Sequence, residues 1–281
     1  MAGLCWTPSP SMPIVGTMRF WPRSLPGILL ALCGLTIGGL GLPQVAWAGP
    51  PFETDDPEPV EPGHWEVYTF SAGAVGNHDV TGLGPALEVN YGAAPNLQLH
   101  LIAPTAYDAP DGQPAAFGMG DTELGVKYRL INPGAQDWYP EIGVFPLVEL
   151  PTGKASRNLG AGQVQVFLPV WAQKTLAKWT TYGGGGYWIN PGPGNRDYWF
   201  TGWLLQRQVT EKLALGGEIF HQTAGMVGRG GATGFNLGGQ YDFSEHRHLL
   251  FSAGHGGLSY AVDGAGVSHP FTYYLAWQWT F

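Results

Sequence analysis

The last eleven residues, Phe271 to Phe281, read FTYYLAWQWTF. Odd positions give Phe271, Tyr273, Leu275, Trp277, Trp279 and Phe281, and even positions give Thr272, Tyr274, Ala276, Gln278 and Thr280. Successive side chains of an extended chain point to opposite faces, so this is a strand with one apolar face and one mostly small or polar face. A soluble sandwich could bury such a face. Two features point elsewhere. A tilted strand crosses a bilayer in about 9–11 residues. Bulky aromatics also stand at both ends of the apolar face, where a membrane barrel carries its interfacial girdles. A strand facing hydrocarbon needs hydrogen-bonding partners on both edges, so the rest of the chain has to close a sheet around it.

Composition agrees. Charged residues make up 12% of the chain, about half the ~25% usual in soluble domains. Beyond residue 48 no apolar run approaches the ~18 residues of a helical membrane span. The chain also holds 44 Gly, 12 Trp, 12 Tyr and 13 Phe. Few charges, many aromatics and glycines, and no long apolar run together fit a transmembrane β-barrel.

Residues 1–48 read as an export signal. Arg19 and Arg23 form a positive region, Gly27 to Leu42 is apolar, and Ala46-Trp47-Ala48 is an A-x-A cleavage site before Gly49. Met18 directly precedes the positive region and is an alternative start to Met1. Both cysteines, Cys5 and Cys33, lie in this segment, so a processed chain would have no disulfide, zinc thiolate or cysteine nucleophile. Removing two arginines and no acid takes the formal net charge from −8 to −10. That balance argues against nucleic acid as a partner.

Residues 49–63 (GPPFETDDPEPVEPG) are Pro-rich and acidic and read as an extended, unstructured leader. Residues 64–281 then alternate strand and connection. Candidate strands are His64–Val75, Thr81–Tyr91, one opening at Leu97 before a loop Tyr107–Gly118, Gly120–Leu130, Tyr139–Leu150, Gly162–Ala172, Trp179–Ile189, Asp197–Gln206, Leu213–Gln222, Thr233–Phe243, His248–Tyr260 and the terminal strand. The expectation is an all-β fold: a transmembrane antiparallel up-and-down β-barrel of about 12 strands, an even number as single-chain bacterial barrels have. Alternate connections, such as Gly92–Asn96 and Ser244–Arg247, are compact, and the others, such as Ala106–Met119 and Tyr260–His269, are mostly longer.

Several runs resemble a known family: Phe52-Glu53-Thr54-Asp55-Asp56-Pro57, Gly63-His64-Trp65-Glu66, Gly118-Met119-Gly120-Asp121-Thr122-Glu123-Leu124-Gly125-Val126-Lys127-Tyr128-Arg129, Pro151-Thr152-Gly153 and Gly217-Glu218. They are similar to outer-membrane barrel proteins labelled transporters and linked by name to the meta-pathway of phenol degradation. A terminal strand closing on Phe281 also resembles the terminal signal of bacterial outer-membrane barrels. The resemblance implies passage of aromatic or other small apolar compounds and carries over no catalytic residue. It implies export to the bacterial outer membrane, with the lipid and the barrel-assembly machinery as partners beside a small solute.

The charged inward face is the best functional clue. Glu88, His100, Asp121, Glu123, Lys127, Arg129, Glu218 and Asp242 all fall on faces assigned to the lumen, lining a pore or forming a salt-bridge network that fills it. Glu123 stands two residues from Asp121 and four from Lys127, a spacing that predicts ion pairing within this strand and to its neighbours. Other motifs are plainer. Pro151-Thr152-Gly153-Lys154 lacks the upstream Gly of a phosphate loop and reads as a turn. Gly183 to Gly186 reads as close strand packing, and His246-Arg247-His248 as a solvated turn. Ser259, Ser268 and His269 near the last outer loop are the only candidates for a lipid-cleaving site, and they form no convincing nucleophile–base arrangement. The expectation is therefore a non-enzyme without cofactor or metal, passing small solutes. The alternatives are a plugged structural or recognition barrel and, more distantly, a lipid-modifying enzyme.

Overall fold

In the computed structural model, which describes residues 50–76, 79–133, 137–256 and 270–281, the alternating segments form one closed antiparallel sheet. In chain order the strands are β1 (Trp65–Val75), β2 (Asp79–Ala94), β3 (Leu97–Pro110), β4 in two segments (Ala116–Met119 and Thr122–Ile131) and β5 in two segments (Glu141–Val144 and Leu147–Leu150). They continue with β6 (Gln165–Leu176), β7 (Trp179–Ile189), β8 (Tyr198–Gln208), β9 (Leu213–Gln222), β10 (Ala232–Ser244), β11 (Arg247–His255) and β12 (Phe271–Thr280). Each strand pairs with the next. β12 returns to β1 with Glu66 opposite Thr280 and Val75 opposite Phe271. The fold is thus an all-β, up-and-down barrel of 12 strands, as the alternation implies.

The terminal strand faces as its parity requires. Thr272, Ala276, Gln278 and Thr280 are buried toward the interior, and Phe271 and Leu275 are exposed on the outer wall. Leu87, Leu124, Leu168, Trp203 and Leu237 continue the exposed apolar surface around the barrel. Aromatics gather at its two rims. At the rim of short turns Trp65 stacks on Tyr91 with ring centroids 4.2 Å apart, and Phe243 lies 5.1 Å from Trp277. At the other rim Tyr187 and Trp199 meet at 5.1 Å. A wall apolar in the middle and aromatic at both edges matches a bilayer with two interfaces.

Two differences from the sequence reading have local causes. The expected loop Tyr107–Gly118 is mostly paired: β3 runs on to Pro110 against Asp79 of β2, and Asp108 faces Ala116 of β4. This hairpin extends because the backbone ladder continues whether or not its side chains alternate. β5 is interrupted at Phe145-Pro146, since Pro146 has no N–H for the ladder. The Gly183–Gly186 run lies in β7 between close neighbours, where a Cβ on Gly184 would lie 3.0 Å from the Trp171 ring. Strand His248–Tyr260 is described through His255, and its remaining residues, with the loop Tyr260–His269, lie outside the described residues.

If Leu275 meets hydrocarbon, Leu275→Arg should cost about 2–4 kcal/mol of stability in lipid, while Leu275→Phe should leave it nearly unchanged. Urea unfolding in vesicles checks this, and equal loss in both variants would overturn the assignment of faces.

Candidate functional site: the occupied lumen

The leader is not a free tail. Residues 50–63 carry no helix or strand, since Pro50, Pro51, Pro57, Pro59 and Pro62 have no N–H to offer a sheet. Instead they enter the barrel, and the wall answers their remaining N–H groups with side chains. The Glu218 carboxylate of β9 accepts from Glu53 N at 2.9 Å and Thr54 N at 2.8 Å, and Gln98 Oε1 of β3 accepts from Val60 N at 2.9 Å. Gln173 Nε2 donates to Glu58 at 3.2 Å and Ser252 Oγ to Pro51 O at 2.6 Å. Thr54 and Asp56 are wholly buried. The wall is also shaped for them. A Cβ on Gly202 would lie 3.1 Å from Thr54 Cβ, and one on Gly143 would lie 2.9 Å from Pro57 Cβ. This corrects the expectation of an unstructured leader: irregular backbone is compatible with a fixed path when the surroundings satisfy it.

Lys127 of β4 is the leader's cationic anchor. Its Nζ lies 3.0 Å from Asp55 Oδ1 and 3.5 Å from Asp56 Oδ2. Burial raises the Asp56 carboxyl well above the ordinary carboxylate range, with the Lys127 charge pulling the other way. Glu58 is pushed up to about 7, first by burial and then by the neighbouring Glu141, against the pull of Arg129.

The other sequence-predicted residues fall into separate groups. Glu88, His100 and Glu123 come together: His100 Nε2 lies 2.9 Å from Glu123 Oε1, its Nδ1 2.6 Å from Asn90 Oδ1 and 3.7 Å from Glu88 Oε1. Asn90, which sequence reasoning left out, also donates to Glu88 at 2.8 Å. Asp121 accepts from Gly153 N at 2.8 Å and Ala161 N at 2.6 Å, so it ties down the connection after β5. Arg129 reaches Glu141 at 3.4 Å and Asn96 at 3.0 Å near the short-turn rim. Within the strand Glu123 does not pair with Lys127: Glu123 pairs across strands with His100, as expected of its neighbours, and Lys127 pairs with the leader's Asp55 and Asp56. Asp242 meets His248 Nδ1 at 2.7 Å. His248 is therefore a buried residue of β11 and not part of a solvated turn; strand parity points it inward, while His246 stays in the turn. Ser259, Ser268 and His269 lie outside the described residues.

Beside the leader remains a cavity of about 480 Å³. Its lining runs from Glu245, His246 and Thr280 at the short-turn rim to Leu83 and Trp188 in the other half. One wall is aromatic: Phe167 stacks on Trp188 with centroids 4.7 Å apart, and Trp171 and Phe200 pack edge-on to Phe167. Trp171 is 1% exposed, and its indole N–H has no hydrogen-bond partner among the described residues.

A 12-stranded membrane-type barrel with a polar, leader-filled lumen defines the class. The chain belongs to the family described as "Putative MetA-pathway of phenol degradation", which matches residues 53–265. In fold it is similar to an outer membrane channel from Pseudomonas putida F1, with a TM-score of 0.65 at 16% identity over 80% of this chain and 98% of that one. It is also similar to the NanC porin, with a TM-score of 0.52 at 9% identity over 76% of this chain and 98% of that one. No curated protein matches the chain.

The elevated Glu58 carboxyl has a signed consequence. A carboxyl whose value rises on docking favours the docked state while it is protonated, so docking weakens as pH climbs from the ordinary value of 4.5 through about 7. Protease cleavage of the leader should therefore increase between pH 5 and 8. Glu58→Gln, which keeps an acceptor for Gln173, should reduce that increase; an unchanged pH profile would refute the role given to Glu58.

Proposed function

We propose that this protein is a barrel of the bacterial outer membrane through which small solutes cross, aromatic and apolar ones included. The observation that carries the reading is the elongated cavity left beside the leader, with polar groups along its length and aromatic rings on one wall. Its volume lies within the range of about 300–1,000 Å³ typical of small-ligand pockets. The channel and porin folds above support the reading. In it the leader is a constriction that leaves a narrow path, and the protein acts by passage without a reaction, with the outer-membrane lipid and barrel-assembly machinery as partners.

A second reading, the sealed structural or recognition barrel, is favoured by the same leader, whose Thr54 and Asp56 are wholly buried in the interior. Single-channel recording in planar bilayers separates the two. The passage reading expects small steps from the intact protein and larger ones from Gly202→Val, whose side chain would occupy the place of Thr54. Silence from both proteins would leave the sealed barrel standing.

Residues 1–48 are proposed as the cleaved export signal, leaving a processed chain of leader (49–63) and barrel (64–281). N-terminal sequencing of protein recovered from outer membranes should begin at Gly49. A first residue elsewhere would move the boundary of the leader.

A further inference from the structure

The cavity's two kinds of wall share an electrostatic sign. Of the described residues that line it, ten are Asp or Glu, one is Lys and none is Arg. Several of these acids already have partners: Asp55 meets Lys127, Glu88 and Glu123 meet His100, and Asp121 accepts from backbone amides. Glu149 is different. It stands opposite Glu123 on the neighbouring strand and has no hydrogen-bond or ion-pair partner among the described residues. The aromatic wall adds ring faces, whose negative π density attracts cations and repels anions. Trp171 lines the same space and adds a further ring to that wall.

Resting on the passage reading above, we propose that this cavity selects by charge. It takes cations and uncharged solutes, aromatic ones among them, and turns away anions such as arene carboxylates. Carboxylates lining a narrow, low-dielectric passage concentrate the field along it and set its preference, as acidic rings do in cation channels. Glu149 is the main determinant, because of the acids that the strands bring to the cavity it is the one with no hydrogen bond or ion pair among the described residues, while Glu61 and Glu245, likewise unpartnered there, lie exposed at the short-turn rim. Lys127 does not reverse the sign, since the leader's two aspartates already face it.

The test is the reversal potential of the purified full-length protein in planar bilayers under a KCl gradient, repeated with benzylammonium chloride and with potassium benzoate. The expected result is K⁺ several-fold more permeant than Cl⁻, and benzylammonium more permeant than benzoate. Glu149→Gln should lower the K⁺/Cl⁻ ratio and Glu149→Lys should lower it further. Glu211→Gln, on an exposed turn outside the cavity, should leave it unchanged. Circular dichroism confirms that each variant retains the barrel. A conducting protein that prefers Cl⁻ and benzoate, or whose ratio ignores both substitutions at Glu149, would overturn the charge filter and leave passage intact. A silent bilayer would overturn passage itself, and the filter with it.

Discussion

Backbone hydrogen bonding in a medium that cannot supply it governs this structure. A strand in hydrocarbon has no water to satisfy its N–H and C=O groups, so the sheet must return to its first strand. The pairing of β12 with β1, from Glu66–Thr280 to Val75–Phe271, completes that circuit. Every other arrangement follows from it. Once the wall is closed, strand parity sends half the side chains outward to lipid and half into a shared interior. The outer half can be uniformly apolar. The inner half has to solve a packing problem within a space too narrow to be bulk water.

The solution is a polar interior satisfied from two sides. Wall residues bond across strands, as His100 does with Asn90 and Glu123. The leader supplies what the wall lacks: backbone N–H groups for Glu218 and Gln98, and carboxylates for Lys127. Glycines on β5 and β8 make room for Pro57 and Thr54, which shows that wall and leader are complementary in shape as well as in polarity. The remaining space lies beside the leader, between aromatic and acidic walls, and in that space solute chemistry is decided.

Much of the wall was legible because alternation is a local property. Trp179–Ile189 and Leu213–Gln222 have the limits that periodicity assigns them, and the terminal strand faces as its parity demands. The interior was legible only as a set of residues. Glu88, His100 and Glu123 do meet, but which neighbour each one takes depends on pairs far apart in sequence. Glu218 meets the leader across 165 positions and Lys127 does so across 72. The leader itself reads as disorder for a physical reason. Proline and acid record that a segment cannot form a strand or a core of its own, and they carry no information about a cavity that would receive it. His248 had a usable signal in its parity, obscured by two basic neighbours, His246 and Arg247, that suggested a solvated turn.

The leader's charge bears on how it is held. An acidic segment inside an acidic barrel gains little from long-range attraction, and among the described residues Lys127 alone pairs with its two aspartates, one of them wholly buried. Burying a carboxylate with incomplete pairing is costly. What offsets that cost here is mainly neutral: backbone amides on Glu218, side-chain amides from Gln98 and Gln173, and close contact at Gly143 and Gly202. Such contacts are short-ranged and vanish together once the segment shifts, whereas carboxylate repulsion persists over a Debye length of about 10 Å at 0.1 M salt. A segment held by short-range fit against a longer-range repulsion loses its hold steeply once it shifts. That makes the leader a natural limiting element of the passage, and the acids that oppose its seating are the same ones that give the remaining path its sign.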